Sequence, residues 1–175
     1  KENAKGEIME LSREFPVWVS DVHNLKDALS MIQSIGSICN RNEKALVMTK
    51  QIEEAFTALD YIPENVVRAV YVIWQNPLYT VNKNTFIHDM LRKCGIENVF
   101  AYKEEPYPII SEKEIRDRKP DYIFLPSEPY NFKESDVKAF KKSFSKVEIK
   151  RVDGEYFTWY GSHLLTAPSY FKQLF

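Results

Sequence analysis

The sequence predicts an α/β fold: a Rossmann-like lobe with a mostly parallel sheet flanked by helices, preceded by a long backbone helix region. Two observations lead to this prediction. From residue 66 onward, short β-branched and aromatic runs alternate strictly with amphipathic stretches. Such alternation favours parallel strands that are covered by helices on both faces. Before that, residues 24–60 carry apolar side chains at helical spacing in two successive stretches, which predicts a helical region ahead of the lobe.

The amino-terminal part is predicted to be mainly helical. After a mildly amphipathic stretch at 3–13, the apolar run 15–19 predicts a short β-strand. Apolar residues then recur every three or four positions over residues 25–39, as in an amphipathic helix that begins at Asn24. A second helix is predicted behind Asn42, the candidate N-cap, and it is expected to end before Pro63.

Start and stop signals define the elements of the lobe. Ser111 is followed three residues later by Glu114, which together form a capping box, and Gly95 closes the preceding helix. Asp153 and Gly154 predict a turn. The predicted strands are 66–74, 98–101, 122–125 and 147–152, and the predicted helices are 85–94, 112–118, 134–143 and 162–175.

Composition excludes several classes of function. The chain of 175 residues has 24 Lys and Arg against 25 Asp and Glu, a net charge of −1, so no long-range field attracts nucleic acid. Its five glycines form neither a dinucleotide fingerprint nor a P-loop. No apolar run is long enough to span a membrane, and the two cysteines, Cys39 and Cys94, have no metal-binding spacing.

Candidate catalytic and metal-binding residues are equally sparse. His88 and Asp89 are adjacent on a predicted helix and point about 100° apart, so they cannot ligate one ion. No nucleophile elbow and no convergent acid–base pair is visible in the sequence. We therefore expect neither a catalytic residue nor a metal ion held by protein side chains, and we expect no nucleic-acid partner.

Three predicted loops at the carboxyl ends of strands combine prolines with aromatic residues. They are residues 75–80, 102–108 and 126–132, and Trp159 and Tyr160 lie near the last predicted helix. Ligands of open α/β sheets bind at this edge, so an aromatic rim with little charge predicts a site for a flat or bulky ligand. Two alternatives stay open: the loop aromatics can fold back onto the core, and His163 can be an ordinary solvated histidine.

Four segments taken together resemble one family: NLKDALSMIQSIGSICNRNEKA, IWQNPLYTVNKNTFIHDMLRKCGIENVF, YPIISEKEIRDRKPDYIFLPSEPYNF and DGEYFTWYGSHLLTAP. They are similar to the helical-backbone substrate-binding proteins of ABC importers for cobalamin, haem and iron siderophores. The resemblance implies two Rossmann-like lobes bridged by a rigid helix, with the ligand in the cleft between them. Residues 1–22 would be the tail of an N-terminal α/β lobe, 23–63 the bridging backbone helices, and 64–175 the C-terminal ligand-binding lobe. The rest of the first lobe and a signal sequence would lie upstream.

The resemblance also implies residue roles. His163 stands where siderophore binders often carry an arginine, which argues against a strongly anionic chelate. The glutamates that the family offers to the transporter align with Lys5 and Lys113, which leaves Glu112 and Glu114 as candidates for docking. The candidate ligand-binding residues are Trp74, Tyr79, Tyr107, Glu128, Tyr130, Tyr160 and His163.

The function expected from this resemblance is that of the solute-binding component of an ABC import system. It would capture cobalamin or a ferric siderophore or haem-type chelate and deliver it to the permease. The protein would be bacterial and periplasmic, or extracytoplasmic with a lipid anchor, and would have no cofactor of its own, since any metal would arrive inside the chelate. Two alternatives remain: a cytosolic α/β enzyme, a transferase or hydrolase with a helical cap, and an interaction module that holds a protein partner through exposed aromatics.

Overall fold

The computed structural model describes residues 4–59 and 66–174 and confirms the α/β class. Helices dominate the first part of the chain, and short strands alternate with helices in the rest. The elements are α1 (Lys5–Leu11), α2 (Leu25–Ile38), α3 (Asn42–Thr57), β1 (Val67–Tyr71), β2 (Leu78–Tyr79), α4 (Phe86–Lys93), β3 (Ile96–Asn98), β4 (Ile109–Ile110), α5 (Glu112–Arg118), β5 (Tyr122–Pro126), α6 (Glu134–Ser143), β6 (Glu148–Val152), α7 (Glu155–Thr158), a 3₁₀-helix (Ser162–Leu165) and α8 (Ala167–Phe171).

The main sheet has the strand order β3-β1-β5-β6, and all three of its pairings are parallel. The chain adds β3 on one side of β1 and then crosses back to add β5 on the other side. The strand order therefore reverses between β1 and β5, which makes this position the topological switch point of the sheet. Strands β2 and β4 form a separate antiparallel pair.

Alternate residues of the strands face two hydrophobic clusters. Ala69 and Tyr71 of β1 belong to a cluster with residues of α2, α3, α4 and α8. Val70 and Val72 face the opposite side, which is covered by α5 and α6. The α2–α3 region thus packs into the same core as one face of the sheet. Within residues 4–59 and 66–174, none of the helices combines the length and apolar character that crossing a bilayer requires.

Helices α2 and α3 fold back on each other and pack closely. A Cβ atom added at Gly36 would lie 2.3 Å from the Cβ of Ala45, so the two backbones can approach only because residue 36 is glycine. Gln33 Nε2 also donates to Thr49 Oγ1 at 3.3 Å. Helices α2 and α3 therefore form a helical hairpin, and Asn40 at its bend adopts a φ of 51°.

Two predictions for the amino-terminal part are wrong. Residues 15–19 form no strand and pair with no described strand, and Trp18 and Val19 are 48% and 61% exposed. A β-type sequence forms a strand only where a neighbour takes up its backbone hydrogen bonds. Asn42 is the first residue of α3 rather than its cap, because Arg41 occupies the N-cap position. Helix α3 ends at Thr57, before Pro63 as predicted. The domain boundary at 63/64 lies outside the described residues, and the domain division stays a prediction.

Two predictions in the lobe are also corrected. The strand predicted at 98–101 is β3, at Ile96–Asn98, because Gly95 at φ 72° lets the chain turn directly into it. The Asn98 side chain then accepts from Phe100 N at 3.0 Å, which favours a turn after the strand. The long helix predicted at 162–175 is instead split into a 3₁₀-helix and α8, with Pro168 in the first turn of α8.

The helices with local start signals are confirmed. Ser111 Oγ accepts from Glu114 N, and the Glu114 carboxylate accepts from Ser111 N at 2.8 Å, so the predicted capping box forms at α5. Thr85 caps α4 through His88 N. Helix α6 spans Glu134–Ser143, as predicted. These signals are short-range and depend little on distant parts of the chain.

The two cysteines differ sharply in accessibility. Cys39 is exposed, whereas Cys94 is buried with Sγ 3.1 Å from the Met90 carbonyl oxygen, and burial raises the pKa of the Cys94 thiol. We expect a thiol reagent to modify one of the two cysteines in the folded protein and both in denaturant, as measured by absorbance and mass spectrometry. A Cys39→Ser variant that still reacts when folded would contradict this expectation.

Candidate functional site

The candidate site lies where the carboxyl ends of β1 and β5 meet. Trp74, which follows β1, and Tyr130, which follows β5, contact each other edge to face with ring centroids 5.2 Å apart. Trp74 is 45% exposed, and Tyr130 packs on the buried ring of Phe132 at 4.7 Å. An aromatic pair thus sits at the switch point of the sheet, the position where open α/β sheets bind ligands.

Gln75 fixes this aromatic pair. Its Nε2 lies 2.6 Å from Tyr130 Oη and 3.1 Å from Asp136 Oδ1, so it joins the loop after β1 to the loop after β5 and to α6. Asp136 also accepts from Lys133 N at 2.7 Å. With the Tyr130 hydroxyl held in this way, the ring position is set before any ligand arrives.

Tyr79 and Tyr107 lie on the small sheet beside this pair. Tyr79 N donates to Trp74 O at 3.1 Å, and Tyr79 pairs with Ile109 across β2 and β4. The pairing continues through Thr80 N and Pro108 O at 3.1 Å, which places Tyr107 opposite Val81. Tyr107 lies in the bend just before β4 and is 46% exposed.

Two buried asparagines that sequence reasoning missed hold the loop of residues 99–108. Asn82 Nδ2 donates to the carbonyl oxygens of Lys103 and Glu104 at 2.9 and 3.0 Å, and Asn82 N donates to Pro106 O at 3.0 Å. Asn98 Nδ2 donates to Val81 O at 2.9 Å. These bonds fix the mostly exposed middle of the loop, residues 103–106, whereas Val99 and Phe100 at its start are held in the core.

Glu128 sits on the loop after β5 and is held from the next connection. The Thr158 hydroxyl donates to Glu128 Oε1, and Ser127 Oγ accepts from Gly154 N at 2.9 Å. Asp153 Oδ1 lies 3.3 Å from Ser127 Oγ. Side chains therefore connect the ends of β5 and β6. Glu128 lies two residues before Tyr130, so its carboxylate is the acidic group nearest in sequence to the Trp74–Tyr130 pair.

The structure places Tyr160 and His163 in a second aromatic group. Tyr160 packs edge to face on Phe86 with centroids 5.3 Å apart. His163 lies 4.6 Å from the ring of Tyr156 and 5.5 Å from that of Trp159, and its Nε2 is 3.5 Å from a Glu155 oxygen. Both residues follow β6, at the same edge of the sheet as Trp74 and Tyr130, but Tyr160 packs on α4 and His163 on residues 155–159.

The two candidate docking residues are already engaged within the chain. Glu112 pairs with Arg116 one turn further along α5 at 3.1 Å. Glu114 pairs with Lys103 at 2.7 Å, and this ion pair, together with the hydrogen bond from Ser111 N, lowers the pKa of Glu114 to about 2. Their roles in docking and those of the seven ligand-binding candidates stay predictions.

Burial shifts the pKa of both His88 and Tyr71, two side chains near the sheet. Burial, and to a lesser extent Arg92, lowers the pKa of His88, which favours the uncharged imidazole. Burial raises the pKa of Tyr71, so its hydroxyl stays protonated. In the described part of the chain, no three His, Cys, Asp or Glu residues come together as metal ligands would. The arrangement is suited to holding a ligand by aromatic faces.

A family model for periplasmic binding proteins matches residues 5–149 of this sequence. The match covers both helices of the hairpin and the main sheet through β5. The chain belongs to the periplasmic binding protein family. This membership confirms the resemblance drawn from the sequence and favours a binding protein over the enzyme alternative.

Curated relatives of this family member include vitamin B12-binding proteins. The protein of Vibrio parahaemolyticus is 28% identical over 111 residues, which are 62% of this chain and 40% of the relative. The protein of Pectobacterium carotovorum is 22% identical over 156 residues, 87% of this chain and 56% of the relative. The chain thus spans about half the length of the curated relatives that it matches, or less.

Solved structures of the family share the fold. The periplasmic vitamin B12-binding protein of Vibrio cholerae superposes with a TM-score of 0.76 at 18% identity, over 97% of this chain and 70% of that one. The periplasmic haem-binding protein of the same species gives a TM-score of 0.78 at 16% identity, over 99% and 73%. At this identity the likeness concerns the fold.

Proposed function

We propose that this chain is the ligand-binding lobe and helical hairpin of a solute receptor that captures a flat or bulky chelate, a corrinoid or a haem-type or siderophore ferric complex, for an ABC importer. The observation that carries this proposal is the Trp74–Tyr130 pair at the switch point of the sheet, in which Trp74 is 45% exposed and Tyr130 partly buried. Ligands of open α/β folds bind at that edge, and aromatic faces bury large apolar area without a change of charge.

Family membership and the names of the relatives support the ligand class. The relatives are named for binding vitamin B12, and the similar structures include vitamin B12- and haem-binding proteins. Because these ligands carry their own metal, the protein would need no resident cofactor. The proposal has two further parts, which the same family membership supports. The protein would deliver its ligand to a permease, and it would be periplasmic, with or without a lipid anchor.

The test is calorimetric titration with three probes: cyanocobalamin, haemin and a ferric hydroxamate. It would be run on this chain and on a version extended upstream of Lys1 to the length of the curated relatives. Saturable binding of one probe supports the proposal. No binding of any probe to either form would overturn it and would favour an activity screen for the enzyme alternative.

The aromatic pair can be tested with the probe that binds. Trp74→Ala is expected to weaken binding about tenfold, since loss of an aromatic contact plus its buried area costs about 1.5 kcal/mol. Tyr107→Ala should weaken it in the same direction. The matched control is Trp18→Ala, because Trp18 is 48% exposed and Trp74 45%. Unchanged affinity in Trp74→Ala and Tyr107→Ala would contradict the assigned site.

A further inference from the structure

Helix α5 contacts the loop of residues 99–108 through one of its faces. Glu114 Oε1 accepts from Lys103 Nζ at 2.7 Å, and the Arg118 guanidinium lies 3.9 Å from the ring centroid of Tyr102. Glu114 and Arg118 are four residues apart, so they lie on the same face of the helix. Two adjacent loop residues are thus held by two successive turns of α5.

The Glu114 carboxylate uses both of its oxygens within the chain. Oε1 takes the ion pair with Lys103, and Oε2 accepts from Ser111 N at 2.8 Å and from Ser111 Oγ at 2.9 Å. The low pKa of Glu114 agrees with this double engagement. A carboxylate held in this way would have to break its internal bonds before it could pair with an arginine of another protein.

The loop held by the Lys103–Glu114 ion pair, which we call the clamp, leads directly to Tyr107. Beyond Lys103, the loop is bonded from the inside by Asn82, through its side chain at Lys103 O and Glu104 O and through its backbone at Pro106 O. The loop is therefore held on its inner side by Asn82 and on its outer side by Glu114. Moving either support would move the backbone that presents Tyr107.

We infer that Glu114 is a positioning residue, which fixes the loop carrying Tyr107 to the first turn of α5, and not a carboxylate offered to the importer. The role of Tyr107 in ligand binding rests on the proposed function. The contact between Glu114 and the loop does not depend on that function. The surface of α5 that remains for a partner is the outer one, which carries Glu112 with Arg116 and Lys113 with Asp117 as exposed ion pairs.

Substitutions at Glu114 can separate the clamp from the cap. Glutamine also serves at the third helical position of a capping box, so Glu114→Gln keeps the cap on α5 and removes the charge that faces Lys103. Glu114→Ala removes both. Lys103→Met breaks the clamp from the loop side. Asp117→Asn is the matched control, because it removes one carboxylate from the same helix without touching the loop.

Amide hydrogen exchange, measured by NMR on the 175-residue chain, distinguishes an effect on the loop from an effect on helix α5. Thr80 N, Asn82 N and Lys103 N report on the loop, since they donate to Pro108 O, Pro106 O and Phe100 O, and Ile115 N reports on α5. We expect Glu114→Gln and Lys103→Met each to speed exchange of the loop amides about two- to fivefold, the range for a partly exposed ion pair, and to leave Ile115 unchanged. Glu114→Ala should affect both regions, and Asp117→Asn neither.

Two results would overturn the inference. One is loop exchange in Glu114→Gln and Lys103→Met equal to that in Asp117→Asn. The other is a rise that is equal in the loop, in Ile115 and in the sheet amide Val72 N, because this would be a general loss of stability. With a probe that binds the wild type, Glu114→Gln should also lower affinity about two- to fivefold, and affinity equal to that of Asp117→Asn would count against the role. If the wild type bound no probe, the proposed function would fail and the exchange result would still decide the clamp.

Discussion

Replacing Asn82 by aspartate is expected to lower stability by about 3 kcal/mol, the cost of leaving buried polar groups without partners. Asn82 is fully buried, and its side-chain amide donates to two carbonyl oxygens while its Oδ1 accepts from Asn84 N at 2.7 Å. Aspartate has nearly the same shape, but it would turn an acceptor oxygen toward the carbonyls of Lys103 and Glu104. The loop carrying Tyr107 would lose its inner support and the core would gain an uncompensated charge.

Thermal unfolding followed by circular dichroism measures this effect. A loss of about 3 kcal/mol corresponds to a fall in Tm of about 6–12 °C for a chain of this size. Asn131→Asp is the control, because it makes the same chemical change at an exposed residue. If both variants melted at the same temperature, the loop would not depend on the Asn82 amide.

Gly154→Ala is the second substitution for which we expect a large effect. An added Cβ would lie 2.6 Å from the Glu128 carbonyl oxygen, 2.8 Å from its Cγ and 2.9 Å from its N. Two of these atoms belong to the backbone and cannot rotate away. The φ of Gly154 is −66°, so the cost arises from crowding and not from backbone conformation.

The ends of β5 and β6 would have to separate to accept the methyl group. Overpacking of this kind costs about 1–3 kcal/mol, which lowers Tm by about 2–12 °C in a chain of this length. The matched control is Gly6→Ala in α1, since nothing lies within 4 Å of a Cβ built there. Because Gly154 touches Glu128, the variant should also weaken binding of any ligand that contacts that carboxylate. If the two glycine variants melted at the same temperature, the loop that carries Glu128 would accept the methyl group without a loss of stability.

Elements with local signals could be predicted from the sequence, whereas those that depend on distant partners could not. Helix α5 was predictable because Ser111 and Glu114 cap it within three residues. The run 15–19 has a β-type sequence but no described strand to pair with, and nothing within five residues reveals that. The splitting of the last helix depends on Pro168, which was visible, and on how Leu164 and Phe171 fit the core, which was not.

The candidate site shows the same division. Prolines and aromatics predicted that Trp74, Tyr79 and Tyr130 lie together at one edge of the sheet, and the structure places them there. Their role in binding a ligand stays a prediction. Gln75 and Asn82 were missed because their roles depend on partners that are far away in sequence: Gln75 binds Tyr130 and Asn82 binds Lys103. For Gln75 the available signal was a polar residue directly after an apolar, aromatic run, since burial makes such a residue seek partners. Asn82 stands among polar residues and carried no such signal.

The shared core of the α2–α3 hairpin and the sheet has a mechanical consequence. Leu25, Ile32 and Phe124 belong to one cluster, so rotating the hairpin away from the sheet would open apolar surface to water. Bending costs least where it breaks few buried contacts, and nearly all of residues 12–20 are exposed. The hairpin and the sheet would therefore move together as one rigid unit, and any bending would be concentrated in the segment that precedes Asn24.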